Sequence, residues 1–528
     1  MADLPASTSA PASGPRAQVV ARNSIWMTLD ALVALPVSLL LSIVVARSIG
    51  PDVLGVYNFA NWLLGAGMAV VTSGVTFGMQ QFAAERLGQN DVAGATAVLK
   101  RGLRWQLLLV TVLLAAGIVG TLVFSPAQFR VALLIAVVSV VPAILVSVPA
   151  AGLGAAQAYS DNVLPSMAAV LVNLVGSLVA LWAGWGLVGL TAALLVSRVA
   201  DAALRYVAWR RVWRVLRLAP EHVTAAPEAP VDVPRMRRYA WRSSFLLLVD
   251  MVVWDRSEFI VLTRVSPLRE VAFYSLSFNI VQQALMLPRM FAQGFTANLL
   301  VERGRDPESV LRLTRDAMRY VFLLAAPLTL GLSAVDRAIM PLLYGPKYAE
   351  AIPVVAVVAG LAVLRGALVP VQDLLRMTEN QPFLIRFSVV VGIVNIALDL
   401  WLIPERGALG AAWANGIAQA LAMAGLTAFA SKRLGLVVPL ADMGRILAAC
   451  VPMVIVVRWM AQTMDHWPAV LIGVPVGALL YMAGLKGLRV IRPVDHGRLA
   501  SLSRSFPAAL RPAYTRALGW LVAGEVTT

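Results

Sequence analysis

The sequence predicts an all-α membrane protein that crosses the bilayer many times. Of its 528 residues, 59% are hydrophobic and 14% are charged, and the mean hydropathy is +0.78. Soluble domains carry about 25% charged residues. Apolar runs of membrane-spanning length recur along the chain, and Lys and Arg concentrate in alternate connections between them. These three observations exclude a soluble globular fold.

Fourteen apolar runs are predicted to be transmembrane helices, because each approaches the ~20 residues that cross a hydrocarbon core of ~30 Å. They lie at 24–46, 55–79, 104–124, 131–156, 164–183, 187–208, 244–264, 271–297, 319–340, 351–375, 383–403, 409–430, 445–463 and 467–487. With the N-terminus inside, the most basic connections all face the cytoplasm, and both termini are cytoplasmic.

The segments outside these runs give the predicted domain organisation. Residues 1–23 are rich in Ala, Pro and Ser and lack the apolar core of a signal peptide, which predicts a disordered cytoplasmic tail. Residues 209–243 combine a Trp/Arg-rich stretch, predicted to be an interfacial helix, with a Pro/Ala linker. This linker separates an N-lobe, 24–208, from a C-lobe, 244–430. Two further helices within 431–487 and a basic cytoplasmic tail, 488–528, complete the chain.

The two lobes show a repeated pattern of residues. Arg47 and Tyr57 follow the first predicted helix, and Arg264 and Tyr274 follow the seventh with the same spacing. A second match, at nearly the same offset, relates one Asn and two Gly residues of each lobe: Asn173, Gly186 and Gly189 correspond to Asn395, Gly407 and Gly410. Both lobes begin on the inside, so the repeats are predicted to be parallel and pseudo-symmetric.

The seventh predicted helix carries four ionisable residues in its apolar run. They are Asp250, Asp255, Arg256 and Glu258. Each would cost about 2.5–3.5 kcal/mol if it faced lipid. We therefore expect this helix to line a water-filled path, although mutual neutralisation between packed helices is the alternative. Asp30 places a further acid about one turn inside the first helix.

Residue usage argues against several other functions. The single cysteine, Cys450, and three scattered histidines allow neither a disulfide framework nor a metal cluster. The sequence has no Walker A loop and no G-x-S-x-G elbow. The net charge of +16 is attributed to membrane topology and anionic lipid, because no soluble domain is visible that would bind nucleic acid. We predict a transporter that is not an enzyme and has no resident cofactor.

Three segments resemble the oligosaccharide-lipid flippases, the O-antigen and exopolysaccharide translocases of the multidrug/oligosaccharidyl-lipid/polysaccharide exporter superfamily. They are VVARSIGPDVLGVYNFANWLLGAG, LLYGPKYAEAIPVVAVV and VNIALDLWLIPERGALGAAWANGIAQ. Asp399 stands where the family usually has Asn. The resemblance implies the MATE-like exporter fold, a location in the bacterial inner membrane, and a central cavity lined by helices one, two, seven and eight.

The cargo implied by this resemblance is a polyprenyl-diphosphate-linked oligosaccharide, carried from the cytoplasmic to the outer leaflet by alternating access. Arg256 would meet the diphosphate. Asp250, Asp255, Glu258 and Asp30 would complete the polar slot, with Asp30 and Glu258 carrying a coupling proton or sodium ion. Five amides would bind sugar hydroxyls: Asn58, Asn61, Asn279, Gln282 and Gln283. A polysaccharide polymerase or glycosyltransferases would be partners.

Four alternatives remain open from the sequence. The cargo could be lipid II, although the segment after Tyr57 lacks the Pro-Asn and Arg-Arg pattern associated with those flippases. The protein could be a drug/cation antiporter of the same superfamily. A membrane glycosyltransferase or polymerase would need a large outer catalytic loop, and a scaffold would act through loop 209–243 or the basic tail.

Overall fold

A computed structural model describes residues 15–69, 72, 74–218, 232–254, 258–292, 307–378, 380–491 and 511–522. Within these residues the regular elements are helices and there is no strand. Ten segments of this described part are long and apolar enough to cross a membrane, so the chain is a multi-pass membrane protein. The chain divides into two compact units, Met1–Ile49 with Ala60–Leu248 (unit 1) and Gly50–Phe59 with Val249–Thr528 (unit 2).

Unit 1 contains most of the first ten helices. The helices are α1 Pro15–Ile49, α2 Pro51–Met68, α3 Gly74–Gly88, α4 Val92–Phe124, α5 Ala127–Val138, α6 Val140–Leu145, α7 Ser147–Ala155, α8 Tyr159–Trp182, α9 Gly186–Leu218 and α10 Val233–Trp254. The division between the units passes through α2 and near the end of α10. A core cluster that includes Met79, Leu99, Trp213 and Met236 joins α3, α4, α9 and α10.

Unit 2 contains the remaining helices. They are α11 Glu258–Val265, α12 Leu268–Ala284, α13 Pro307–Ala334, α14 Asp336–Tyr344, the 3-10 helix Pro346–Ala351, α15 Ile352–Met377, α16 Gln381–Leu434, α17 Leu440–Thr463, α18 His466–Gly487 and α19 Arg511–Val522. The largest core cluster of this unit packs α13, α15, α16, α17 and α18 together. Short α11 packs against α16, and α12 packs against both α15 and α16.

Each of the fourteen predicted runs lies mostly in helix over its described residues, although 131–156 is divided among α5, α6 and α7, and 319–340 is interrupted at Val335. The ten candidate spans count α16 once, although Gly407 divides it. The predicted runs 55–79, 244–264 and 271–297 correspond to interrupted helices that fall outside the ten. A polytopic all-α fold is therefore confirmed, and the count of fourteen stays a prediction.

Helices extend into both ends of residues 209–243, the region predicted to hold an interfacial helix and a linker. Helix α9 continues without a break to Leu218, and α10 begins at Val233. Trp213 is buried, and its indole N–H donates to Thr96 Oγ1 at 2.9 Å. Trp209 and Trp213 have the spacing of one helical face, and this face packs into unit 1. The interfacial helix within 209–218 stays a prediction. The domain boundaries otherwise stay predictions.

The backbone repeats the sequence pattern that indicated duplication. Gly186 and Gly407 stand at corresponding breaks between helices and have φ angles of 52° and 53°. A φ in this region favours glycine. Gly189 and Gly410 follow three residues later, and in each case an added Cβ would lie within 3.0 Å of the preceding helix. Both lobes thus close the same helical hairpin with the same two glycines.

Candidate functional site

Glu258 lies at the start of α11, and its side chain is completely buried within unit 2. Its Oε1 atom accepts hydrogen bonds from Asn415 Nδ2 at 2.7 Å and from Asn395 Nδ2 at 3.3 Å. A carboxylate removed from water is tolerated only when polar groups compensate for its lost hydration. The two amides provide part of that compensation at one of the two carboxyl oxygens.

A second acid lies beside this carboxyl group. Asp399 is 1% exposed and close enough to Glu258 for the two carboxyls to interact electrostatically. Both Asp399 carboxyl oxygens and Glu258 Oε2 are buried without a hydrogen-bond partner among the described residues. Two adjacent acids with three uncompensated oxygens are costly in a low dielectric. A bound proton or small cation would offset part of this cost.

The architecture of α16 assembles these residues. Asn395 and Asp399 are four apart in the first half of the helix, and Asn415 and Gln419 are four apart in the second half, so each pair shares a helical face. Gly407 breaks the helix between them, and the Ala408 N–H that the break exposes donates to Glu270 Oε2 at 2.8 Å. The break allows both halves of α16 to present amides to Glu258.

A small cavity adjoins this cluster in unit 2. Asn415 and Gln419 form part of its wall, and Gln282 and Arg365 supply the other polar groups. The guanidinium of Arg365 lies 6.0 Å from the ring centre of Phe278, which also lines the cavity. The remaining wall is aliphatic: Val281, Leu285, Val358, Leu361, Ala362, Ala412 and Gly416.

The amides predicted to bind sugar are distributed over both units. Gln282 lines the cavity and accepts a hydrogen bond from Arg289 Nη2 at 2.5 Å. Asn58 donates to Ser275 Oγ at 2.6 Å, so it joins two segments of unit 2. Asn279 and Gln283 are half-buried in α12 and lie outside the cavity lining. Asn61 is half-buried in unit 1.

The acidic and basic candidates are less fully described. Asp30 is half-buried in α1, and its Oδ1 atom is buried without a hydrogen-bond partner in the part of the chain that the structure describes. Asp250 belongs to α10, but its side chain lies outside the described part of the structure. Asp255 and Arg256 lie outside the described residues altogether. Their predicted roles stay predictions.

The expectation that the ionisable groups of the seventh helix face water is wrong for Glu258 in this structure. Helix α16 covers this side chain and supplies its partners. Asp399, Asn415 and Gln419 were not among the predicted site residues. Their signal in the sequence is the recurrence of polar residues at i and i+4 within an apolar helix, which marks one polar face.

The chain matches the family described as polysaccharide biosynthesis protein over residues 20–295, more than half of its length. It belongs to this family. The match confirms the resemblance to polysaccharide translocases seen in the sequence. A search of curated proteins returned no match.

Several solved structures share this fold. The protein is similar to the lipid II flippase MurJ in an inward closed conformation, with 14% identity and a TM-score of 0.69, covering 88% of this chain and 97% of MurJ. It is also similar to an inward-facing multidrug resistance MATE family transporter of the MOP superfamily, with 14% identity, a TM-score of 0.64 and coverages of 78% and 98%. A MOP superfamily transporter from Pyrococcus furiosus gives 14% identity, a TM-score of 0.57 and coverages of 80% and 96%. These similarities establish the exporter fold.

Proposed function

We propose that this membrane protein is a flippase that moves a polyprenyl-diphosphate-linked oligosaccharide from the cytoplasmic leaflet to the outer leaflet. The proposal adds that a sodium ion or a proton bound at Glu258 and Asp399 couples transport to an ion gradient. Membership of the polysaccharide biosynthesis family supports this cargo class. The fold shared with MurJ and MATE transporters supports a transport function.

The observation that carries the coupling proposal is the buried carboxyl pair. Glu258 and Asp399 are each no more than 1% exposed, and no Lys or Arg hydrogen bond or ion pair to either is seen within the described residues. A buried carboxylate without a cation carries a large desolvation cost. A proton or a sodium ion would offset that cost, and carboxylate and amide oxygens are the ligands that hard cations prefer.

Transport requires that the sugar hydroxyls remain hydrogen-bonded while they pass the hydrocarbon core. A polar slot in the protein satisfies this condition while the polyprenyl tail stays in lipid. Alternating access between two pseudo-symmetric lobes supplies the movement. Binding of a cation at Glu258 would change the charge inside unit 2 and thereby favour one conformation over the other.

A transport assay in proteoliposomes tests the proposal. Purified protein is reconstituted with a fluorescent polyprenyl-diphosphate-oligosaccharide, and the fraction that reaches the far leaflet is measured with a sodium gradient, a proton gradient or neither. We expect wild-type transport to respond to one gradient. Glu258→Gln and Asp399→Asn should remove this response. Glu350→Gln changes a glutamate whose side chain is 64% exposed and should leave it intact. Gradient dependence that survives in both acid variants would refute the coupling proposal.

Arg256 is proposed to bind the cargo diphosphate, because an arginine can pair with phosphate oxygens through two N–H groups. In cells that depend on the protein, Arg256→Ala should abolish export without reducing insertion, and Arg256→Lys should retain part of it because the charge is kept. Export measured by surface polysaccharide, normalised to protein in the membrane, provides the test. Normal export by the alanine variant would remove Arg256 from the cargo site.

The identity of the cargo distinguishes the proposed flippase from a lipid II flippase and from a drug antiporter. Competition by lipid II that exceeds competition by a polysaccharide precursor would indicate a lipid II flippase. Uptake of small organic cations without any lipid-linked cargo would indicate a drug antiporter.

A further inference from the structure

The first two turns of α2 lie against α12, and this contact is contained in unit 2. Asn58 Nδ2 donates a hydrogen bond to Ser275 Oγ at 2.6 Å. One turn earlier Gly55 is buried, and a Cβ added to it would lie 1.9 Å from the carbonyl oxygen of Leu268. We name these two approaches, Gly55 to Leu268 and Asn58 to Ser275, the outer contact, because the distribution of Lys and Arg predicts that this end of α2 is on the outer side.

Gly55 sets the distance between the two helices. The atom that an added Cβ would meet belongs to the backbone of α12, and so it cannot turn aside as the end of a flexible side chain can. Small residues at helix interfaces in membranes allow two backbones to approach closely. Any larger residue at position 55 would therefore separate α2 from α12.

The hydrogen bond of the outer contact has a defined direction. Ser275 is completely buried, and its hydroxyl donates to the carbonyl oxygen of Ala272 at 3.0 Å, as a serine within a helix commonly does. The hydroxyl oxygen therefore accepts from the half-buried Asn58. A hydrogen bond between two neutral groups contributes little net stability. The connection between α2 and α12 at this point can thus be broken at low cost.

Asn58 and Ser275 occupy equivalent positions in the two repeats. Asn58 directly follows Tyr57, and Ser275 directly follows Tyr274, the counterpart of Tyr57 in the duplicated pattern. The outer contact therefore joins equivalent helices. Alternating access between two repeats requires contacts that form in one state and break in the other. Any movement that separates α2 from α12 at these ends must break both approaches of the outer contact.

We propose that the outer contact closes the outer side of the transporter while cargo enters from the cytoplasm, and that it breaks when the cargo is released to the outer leaflet. Gly55 and Asn58 are then positioning residues, because they determine which conformation is populated without touching the cargo. The proposal rests on the proposed function and deepens it, since it names residues that control access to the outer side. Its first test needs no cargo, so it can fail independently of the proposed function.

Labelling from the outside tests the role of Gly55. Ser275→Cys places a thiol at the outer contact, and the native Cys450 is 1% exposed. In intact cells, an impermeant maleimide should label Ser275→Cys about tenfold faster when Gly55→Ala is also present, because the added Cβ disfavours the closed conformation.

Gly65→Ala is the matched control for this labelling. Gly65 lies in the same helix, and a Cβ added to it would have nothing within 4 Å, so the labelling rate of Ser275→Cys should not change. Equal rates with Gly55→Ala and with Gly65→Ala would overturn the role of Gly55. A thiol at position 275 that reacts in none of these proteins would show that the outer contact does not open, and would overturn the proposal as a whole.

Cross-linking tests whether the outer contact must break during transport. Asn58→Cys and Ser275→Cys are combined and joined by a short bifunctional methanethiosulfonate, and transport of the fluorescent lipid-linked oligosaccharide is measured in proteoliposomes. Cross-linking should abolish transport, and reduction with dithiothreitol should restore it. Full transport after cross-linking, or failure of the two thiols to cross-link, would contradict the proposed closure.

The matched control is a cross-link within the hairpin of α8 and α9, which combines Gly176→Cys with Ala193→Cys. A Cβ added to Gly176 would lie 3.1 Å from the Cβ of Ala193, so these two positions also meet. Cross-linking this pair should leave transport unchanged. Absence of transport by the wild-type protein would instead overturn the proposed function, and the labelling rates would then decide the role of Gly55 by themselves.

Discussion

Arg319 and Asp442 form an ion pair that is almost completely buried in unit 2. Their side chains are 7% and 5% exposed, with Arg319 Nε lying 3.8 Å from Asp442 Oδ2. Arg319 Nη2 also donates to the carbonyl of Val490, so one side chain ties together α13, α17 and the segment after α18. The ion pair connects α13 with α17, and the hydrogen bond connects α13 with the segment that follows α18.

Removing one partner of this pair leaves the other charge buried. Arg319→Met is therefore expected to lower the free energy of unfolding by about 3–5 kcal/mol. Chemical unfolding in mixed micelles measures the change. Arg312→Met is the control, because Arg312 and its partner Glu308 are 64% and 83% exposed and such pairs contribute little. Equal losses in the two variants would contradict a special role for the buried pair.

We expect Asp336 to make the free energy of unfolding depend on pH. Asp336 is buried at the start of α14, outside the candidate membrane spans. Burial raises the pKa of its carboxyl, and the Arg458 guanidinium, 3.4 Å away, acts in the opposite direction. The folded protein thus holds the proton more tightly than the unfolded chain. This contribution to stability is complete below the ordinary pKa of 3.8 and is lost as the pH rises through the raised value.

Asp336→Asn removes this titration. As the pH is raised from about 4 to about 7, the Tm of Asp336→Asn in detergent should increase relative to that of the wild type. Asp465→Asn, at an exposed aspartate, should show no such trend. A Tm difference for Asp336→Asn that is independent of pH, or that shrinks as the pH rises, would show that burial does not dominate at this carboxyl.

At the scale of the element, α16 depends on its interruption at Gly407. The positive φ and the hydrogen bond from Ala408 N–H to Glu270 produce a defined break within a 54-residue helix. An added Cβ would lie 2.6 Å from Glu270 Oε2. Without this break the amides of the second half would not approach Glu258 from the observed direction.

Gly407→Ala should therefore be destabilising by about 1–3 kcal/mol, because alanine is strained at this φ and displaces Glu270. The Tm in detergent measures the loss. Gly444→Ala is the matched control, since Gly444 lies in helix α17 and an added Cβ would have nothing within 4 Å. That variant should be neutral or slightly stabilising. A Gly407→Ala protein as stable as wild type would mean that the break tolerates an ordinary residue.

At the scale of the whole molecule, the distribution of Lys and Arg predicts which connections face the cytoplasm. The single cysteine, Cys450, is 1% exposed and gives a low labelling background. Gln89 is exposed in the connection before α4, and Gln128 is exposed in the first turn of α5, which follows α4. These two positions therefore test opposite sides of the membrane.

In intact cells, an impermeant maleimide should label Gln128→Cys and not Gln89→Cys, and permeabilisation should make both reactive. Wild-type protein, carrying only Cys450, is the control and should remain unlabelled in both conditions. Labelling of Gln89→Cys in intact cells would reverse the predicted orientation of the chain.

Much of the fold was predictable because membrane insertion depends on local composition. Apolar runs mark the helices, and the paired glycines at Gly186 and Gly407 mark the duplicated hairpin. The family resemblance likewise lies in short contiguous segments. The ionisable residues of the seventh helix drew attention to Glu258 for the same reason, since a charge within an apolar run is visible without knowledge of its neighbours.

Only the tertiary structure decided what surrounds Glu258. Its amide partners, Asn395 and Asn415, are 137 and 157 residues away in the chain, and no periodic pattern records which helix covers which. A hydrophobic pattern shows that a face is buried, but hydrogen-bond partners depend on how separate helices pack and on the backbone break at Gly407. The sequence by itself determined a duplicated, many-helix membrane protein with buried acids. The folded chain decided that one of these acids is enclosed by amides and connected to a cavity.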